Sequence, residues 1–299
     1  MNWAGDWGSL RLGHQQVAWG RADAFRLLDR VNPWRIPDAL FDDLEEARLP
    51  LWMANLELPF AGLEWQFIGG WDQKLNTFDP AYPPPDILPD GNPLLDQPTG
   101  FAGVRASALL GDLAISLHAL DQPNHDPLNR IQADGRTDLF ERREQMLGIS
   151  ADWPIGPVVA RFEATASRGK TLDSRMHSVS QDKAQALVGF DWQAGNWLLS
   201  PQFYYENRDP PDYDVGRNSR SYASMLVRHR SMQDQLEVRL FGVYGLDNSE
   251  SWLSLRVAYT VNDHLELRLH GDRFNSFPDG LFGVFEDFSR VGMEAVLRY

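Results

Sequence analysis

Cysteine is absent from the 299 residues, which excludes disulfides and thiolate-held metals and is compatible with an oxidising compartment such as the periplasm. Also absent is any uninterrupted apolar run near the roughly 20 residues that a spanning helix needs, so a helical membrane protein is excluded. Basic residues are in deficit: 28 Lys and Arg against 42 Asp and Glu leave a net charge of −14, which argues against phosphate-backbone binding, and nucleic acid is not an expected partner. Residues 1–7 show neither a basic n-region nor an apolar h-region, so the expectation is that a secretory leader has been removed or that the chain begins inside a longer gene. What the chain does have is apolar surface in a particular arrangement. Hydrophobic residues make up 43%, with 11 Trp, yet mean hydropathy is −0.40, as expected of strands of about 9 to 11 residues that are apolar on one face only.

The end of the chain carries that pattern most cleanly. Val291, Met293, Ala295, Leu297 and Tyr299 alternate with Gly292, Glu294 and Arg298. In a strand, successive side chains point to opposite faces, so this segment has one apolar stripe. The same period of two recurs along the chain: Leu63, Trp65 and Phe67; Ala102 to Ala108; Leu113 to Ala119; Val158 to Ala164; Ala184 to Trp192; Leu236 to Tyr244; Leu253 to Val261; and Leu265 to Leu269. Weaker segments lie near residues 7–19, 50–58, 143–152, 197–205 and 218–230. About 14 strands result, and in lipid only a closed sheet pairs every backbone N–H and C=O of such strands. The predicted fold is all-β, a transmembrane antiparallel up-and-down barrel occupying residues 1–299 as a single domain.

Connections between these segments alternate in length. Short turns fall near residues 59–62, 110–112, 153–157, 194–196, 233–234 and 262–264, and long polar stretches near 72–98, 121–142, 168–183, 207–218 and 275–287. Short periplasmic turns and long outer loops follow this rule. Aromatics gather near segment ends, at Trp52, Trp65, Trp71, Trp153, Trp192, Trp197, Tyr204, Tyr205, Tyr259 and Tyr299, where amphipathic rings suit a membrane interface. Residues 21–48 break the pattern. There, helical spacing places Phe25 and Leu28 on one face, then Leu40, Phe41 and Leu44, with Asp38 as N-cap, predicting a short helical insert that either enters the lumen or lies on the surface.

The stretch Leu10-Arg11-Leu12-Gly13-His14-Gln15-Gln16-Val17-Ala18-Trp19-Gly20, followed by Asp29-Arg30-Val31-Asn32-Pro33, resembles a motif of uncharacterised Proteobacterial outer-membrane barrels, to which alginate-export porins are similar. Those groups carry Arg-x-Gly-Arg-Gln on the strand; here His14 stands in place of the second Arg. The resemblance covers under a tenth of the chain. It implies passage or export of a solute across the outer membrane, and a barrel with further strands before this one.

The positions opposite the apolar stripes are polar and charged. Glu64, Arg105, Arg161, Glu163, Arg239, Arg256, Glu266 and Arg268 are the candidate pore-lining residues, with the arginines biasing passage towards anions unless they neutralise acids on adjacent strands. Expected partners are a small solute, the lipid bilayer with its lipopolysaccharide, and the barrel-assembly machinery through the strand ending at Tyr299. No cofactor is expected, and no catalytic function. As the rival class, a barrel hydrolase has His118, His229, His264 and His270 to draw on but no nucleophile elbow, His-Glu-x-x-His or phosphate loop. Clustered acids at Asp134, Asp138 and Glu141, and at Asp209, Asp212 and Asp214, suit loop solvation better than calcium. A soluble ligand-binding β-protein would have to leave Trp-rich stripes in water.

Overall fold

The computed structural model describes residues 1–20, 22, 25, 27–35, 47–72, 74–76, 100–125, 128–131, 137–140, 143–172, 178–209, 218–276, 282, 285 and 289–297. The strands are β1 (Asn2–Gly5), β2 (Gly8–Gln15), β3 (Leu51–Phe60), β4 (Leu63–Gly70), β5 (Phe101–Leu110), β6 (Leu113–Pro123), β7 (Leu128–Ile131), β8 (Thr137–Phe140), β9 (Arg143–Ile155), β10 (Val158–Leu172), β11 (Ser178–Ala194), β12 (Trp197–Arg208), β13 (Ser219–Ser231), β14 (Leu236–Gly245), β15 (Ser251–Asn262), β16 (Leu265–Asn275) and β17 (Arg290–Leu297). Fifteen form one sheet in chain order, with β7 and β8 set apart as a hairpin inside the β6–β9 connection. β1 and β17 stand at the two ends of the order.

All fourteen segments read from the pattern are strands, and β1 adds a fifteenth to the sheet. Only four residues long, β1 is too short to show alternation, and its pairing with β2 runs from Asn2↔Arg11 to Gly5↔Gly8. Tight turns join the short connections. At Ala61 and Gly62 both φ angles are positive, 56° and 77°, as the twist-matching two-residue hairpin turn requires. The expected long stretch at 168–183 is shorter than its polarity suggests, because β10 runs on to Leu172 and β11 starts at Ser178. Arg168 and Asp182 hold those extensions together through two hydrogen bonds of 2.7 and 2.8 Å.

The chain divides into two compact units. One comprises Met1–Ala151, Glu163–Gln185 and Asn207–Asn218; the other comprises Asp152–Phe162, Ala186–Glu206 and Ser219–Tyr299. In both, the apolar stripes are exposed: Trp52, Phe67, Leu117 and Leu147 in the first, Phe190, Phe203, Leu240, Leu253, Leu255, Leu267 and Leu269 in the second. The buried face holds polar groups, including Asn55, Gln66, His118, Glu144 and Gln185 in the first unit, and Ser200, Gln202, Ser254, Glu266 and Asp272 in the second. A water-soluble sandwich has the opposite arrangement. Leaving one such Leu or Phe in water forgoes about 1.5–3 kcal/mol, and dozens of them demand an apolar solvent.

The helical expectation for residues 21–31 fails where it is described: 27–34 run as bends leading to an isolated bridge between Trp34 and Arg48. Pro33 disfavours helix at Asn32, whose side chain then takes over the backbone's hydrogen bonds. Asn32 Oδ1 accepts from Val17 N at 2.7 Å, and Nδ2 donates to Gln15 O (3.1 Å) and Leu49 O (2.9 Å). Phe25 and Leu28 share burial rather than a helical face. Of the second expected helix, residues 36–46, with Asp38, Leu40, Phe41 and Leu44, lie outside the described residues.

Candidate functional site

In the first unit, described residues of the connection between β2 and β3 lie on the polar face of the sheet. Val17, Trp19, Leu28 and Val31 are buried in one cluster with Leu51 and Met53 of β3, Ile68 of β4, Phe101 of β5, Leu120 of β6 and Met146 of β9. These six wall residues are the few apolar positions on an otherwise polar face, so the sheet provides a seat where the segment lands. Glycines make room for it: a Cβ on Gly103 would meet Trp19 Cη2 at 2.6 Å, and one on Gly148 would collide with Leu28 Cδ2.

Polar contacts fix the segment at the same depth. Arg30 Nη1 donates to both oxygens of Glu144 at 2.8 and 3.0 Å, its Nη2 donates to Gln185 Oε1 at 2.6 Å, and Lys183 Nζ stands 3.9 Å from the same carboxylate. Arg48 pairs with Asp29 at 2.8 Å, and Trp19 Nε1 donates to Gln66 Oε1 at 2.8 Å. Gln122 Nε2 donates to Arg30 O at 2.7 Å, and the two ring nitrogens of His125 lie 2.9 Å from Lys74 O and 3.2 Å from Val31 O. Arg30 and Glu144 are largely shielded from water, so the pair, one guanidinium nitrogen against both carboxylate oxygens with the other held by Gln185, must be complete to offset its desolvation. Composition gave no signal for Arg30, Glu144 and Gln185 as a set, because they stand 114 and 155 residues apart.

The candidate lining residues all lie on the polar face. Glu64 is in register with Ser107, and Arg105 with Gln66 and His118. Gln66 bridges Asn55 (3.2 Å) and Glu57 (3.3 Å), Glu57 also pairs with Arg11, and His118 Nε2 lies 3.2 Å from Ser150 Oγ. Glu163 is buried in the first unit. In the second unit Arg161 pairs with Asp191 and lies 3.8 Å from Asp152. Arg268 donates to Glu266 at 2.6 Å, and Arg256 reaches Asp272 at 3.5 Å. Arg239 stands in register between Arg228 and Arg256. Most of these arginines are thus neutralised by a carboxylate rather than presented as bare cations.

His14, in place of the motif's second Arg, has Trp52 as its register partner and packs its ring 4.7 Å from that indole, and the cation on the polar side of β2 is Arg11. One further expectation is corrected. Tyr204 is no interface aromatic but is buried on the polar face, donating to Glu206 at 2.8 Å and packing against Tyr222. Trp52, Trp71, Trp153, Trp192, Trp197, Tyr205 and Tyr259 are exposed on or beside the apolar stripes, while Tyr299 and Arg298 lie outside the described residues.

No protein-family model matches the sequence, and no curated protein matches it. Solved structures do. OmpT, an outer membrane protein of Vibrio cholerae in a trimer form, aligns at 11% identity over 86% of this chain and 70% of its own, with a TM-score of 0.53. OccK8 (OprE) of Pseudomonas aeruginosa aligns at 13% identity over 92% and 74%, with a TM-score of 0.50. At such identities the likeness is one of fold. The chain has the antiparallel up-and-down fold of outer-membrane β-barrels, and that fold with its exposed apolar stripes belongs in the cell outer membrane.

Proposed function

We propose that the chain is a porin-like channel passing a small solute through a polar lumen, with residues 17–35 as a constriction on the wall they cover. The reading rests on one observation: a face of paired Arg, Glu, Asp and amide side chains lies behind a face of exposed Leu, Phe and Trp. Water is the medium that such a charged face needs, and hydrocarbon the one its reverse needs. Lipid and lipopolysaccharide contact the apolar stripes, and β17, with Val291, Met293, Ala295 and Leu297 on its outer side, engages the assembly machinery. The motif within residues 10–33, which resembles that of alginate-export porins, supports passage or export of the solute. Selectivity comes from width and lining charge, and no covalent chemistry is assigned to the chain.

Refolded protein in planar bilayers tests this. Discrete conductance steps are expected, with a reversal potential in a potassium chloride gradient that favours anions. Silent bilayers would overturn the reading. One observation favours a second one: the His118–Ser150 pair at 3.2 Å resembles half of a hydrolase triad, with His118 Nδ1 buried and, among the described residues, no third group to orient it. Hydrolysis of a nitrophenyl ester, abolished in Ser150→Ala, would establish that alternative.

A further inference from the structure

We infer that the polar face of β13 to β16 carries a binding site for small oxyanions with two or more negative charges, built on a transverse row of Arg228, Arg239 and Arg256. The inference rests on the channel reading for the solute's route to the row. In the antiparallel register Arg228 lies directly opposite Arg239, Arg239 opposite Arg256, and Arg256 opposite His270. Three guanidinium side chains and an imidazole therefore cross four adjacent strands at one level. Directly paired residues hold their Cβ atoms about 4.5–5.5 Å apart, and like charges at that spacing repel.

The neighbouring rows neutralise this one only in part, at Arg256 and His270 and not at Arg228 or Arg239. On one side stand Leu226, Phe241, Ser254, Asp272 and Arg290, and on the other Arg230, Glu237, Ala258, Arg268 and Glu294. Across the three rows, six arginines face three carboxylates, and each carboxylate is engaged elsewhere or shared. Asp272 lies 3.5 Å from both Arg256 and Arg290 and accepts from Trp252 Nε1 at 3.2 Å. Glu237 takes Arg230 at 2.7 Å, and Glu294 stands 3.8 Å from His270 Nδ1. Among the described residues, no carboxylate reaches Arg228 or Arg239. Arg230 N is hydrogen-bonded to Asn196 O, which puts Leu198, two residues along β12, beside Arg228.

Such a row is complementary to an anion that places oxygens on two adjacent forks at once. Guanidinium groups bind carboxylate and phosphate oxygens in pairs, and the spacing of adjacent strands matches the span of a short dicarboxylate. A monocarboxylate engages one fork and leaves the rest of the repulsion in place. The row therefore selects for charge number as well as sign.

Thermal unfolding in detergent micelles reads the site without any conductance. The unfolding midpoint is measured in succinate, inorganic phosphate and acetate at matched ionic strength. Saturable stabilisation by succinate and phosphate, but not by acetate, is expected. Arg228→Gln with Arg239→Gln should unfold at a higher temperature than the wild type in acetate, because the repulsion is gone, and should lose the succinate response. Arg228→Lys with Arg239→Lys keeps the charge, loses the forks and should weaken the apparent affinity roughly tenfold. Equal stabilisation by acetate, or an unchanged succinate response in the glutamine pair, overturns the site. Conductance without saturable binding overturns the site and leaves the channel, whereas binding in micelles with silent bilayers does the reverse.

Discussion

Replacing Leu255 with Arg tests which solvent the apolar stripes meet. Leu255 lies in the middle of β15, is 39% exposed, pairs with Leu240 on β14 and has Leu253 and Val257 as its neighbours on the same face. If hydrocarbon covers this face, an arginine there is held near the bilayer midplane at about 2–4 kcal/mol, roughly a 30- to 800-fold loss in the folding equilibrium. If water covers it, the substitution is a surface change within about 0.5 kcal/mol. Leu110→Arg supplies the depth control, because Leu110 is 62% exposed and ends β5 beside the Gly111 turn, where the same charge in a membrane costs only about 0–1 kcal/mol. Reversible guanidinium titration into phosphatidylcholine vesicles, followed by fluorescence of the 11 tryptophans, gives both values. A large difference between the two positions is expected. Equal losses, or no loss at Leu255, would refute the membrane assignment.

Removing Arg30 leaves Glu144 shielded with Lys183 at 3.9 Å as its cation and the Ser167 hydroxyl as a hydrogen-bond donor, so Arg30→Ala should destabilise by about 3 kcal/mol and raise single-channel conductance as the segment around Leu28 and Val31 leaves the wall. Gly148→Ala attacks the same seat from the other side, since its methyl collides with Leu28, and it should raise conductance without removing any charge. In Arg161→Ala the carboxylates of Asp152 and Asp191 lose their cation, and the reversal potential in a salt gradient should move towards cation preference. Glu250 is fully buried and accepts from Tyr222 Oη (2.6 Å), Asn248 Nδ2 (3.0 Å) and Phe282 N (3.0 Å); Glu250→Ala should cost about 2–4 kcal/mol in vesicle unfolding by leaving those donors unpaired.

Strand positions were legible in the sequence because their cause is local. Leu253, Leu255, Val257, Tyr259 and Val261 alternate with Trp252, Ser254 and Arg256 whatever else the chain does, and a one-residue slip would move every leucine onto the polar face. Tyr204 and Tyr205 mark the limit of that logic: adjacent residues of one type cannot share a face, and composition could not say which of the two was buried. Helical spacing at 25 and 28 misled for a related reason. A segment packed against a wall also needs apolar residues every three or four positions, and the information that it is irregular sits in Asn32-Pro33 rather than in the period. Pairings such as Arg30 with Glu144 depend on which strand lies opposite which connection, and that is a property of the strand registers, not of any window of sequence.

The two kinds of contact made by the described residues among 17–35 have different consequences for a solute. Trp19, Leu28 and Val31 contribute about 1.5–3 kcal/mol each by burial, a term that no small ion can compete for. The Arg30–Glu144 pair is different, because a second anion close by lowers the energy of leaving Glu144, and Lys183 stands ready as the carboxylate's replacement partner. Charge therefore sets which solutes disturb the segment, while the apolar seat sets how far it is displaced. Arg30→Lys keeps the charge and loses the second nitrogen that holds Gln185, so a channel governed by these contacts should show more frequent transitions with unchanged open conductance in single-channel records. Transitions that do not change in Arg30→Lys, alongside an effect of Gly148→Ala, would assign the hold on this segment to packing alone.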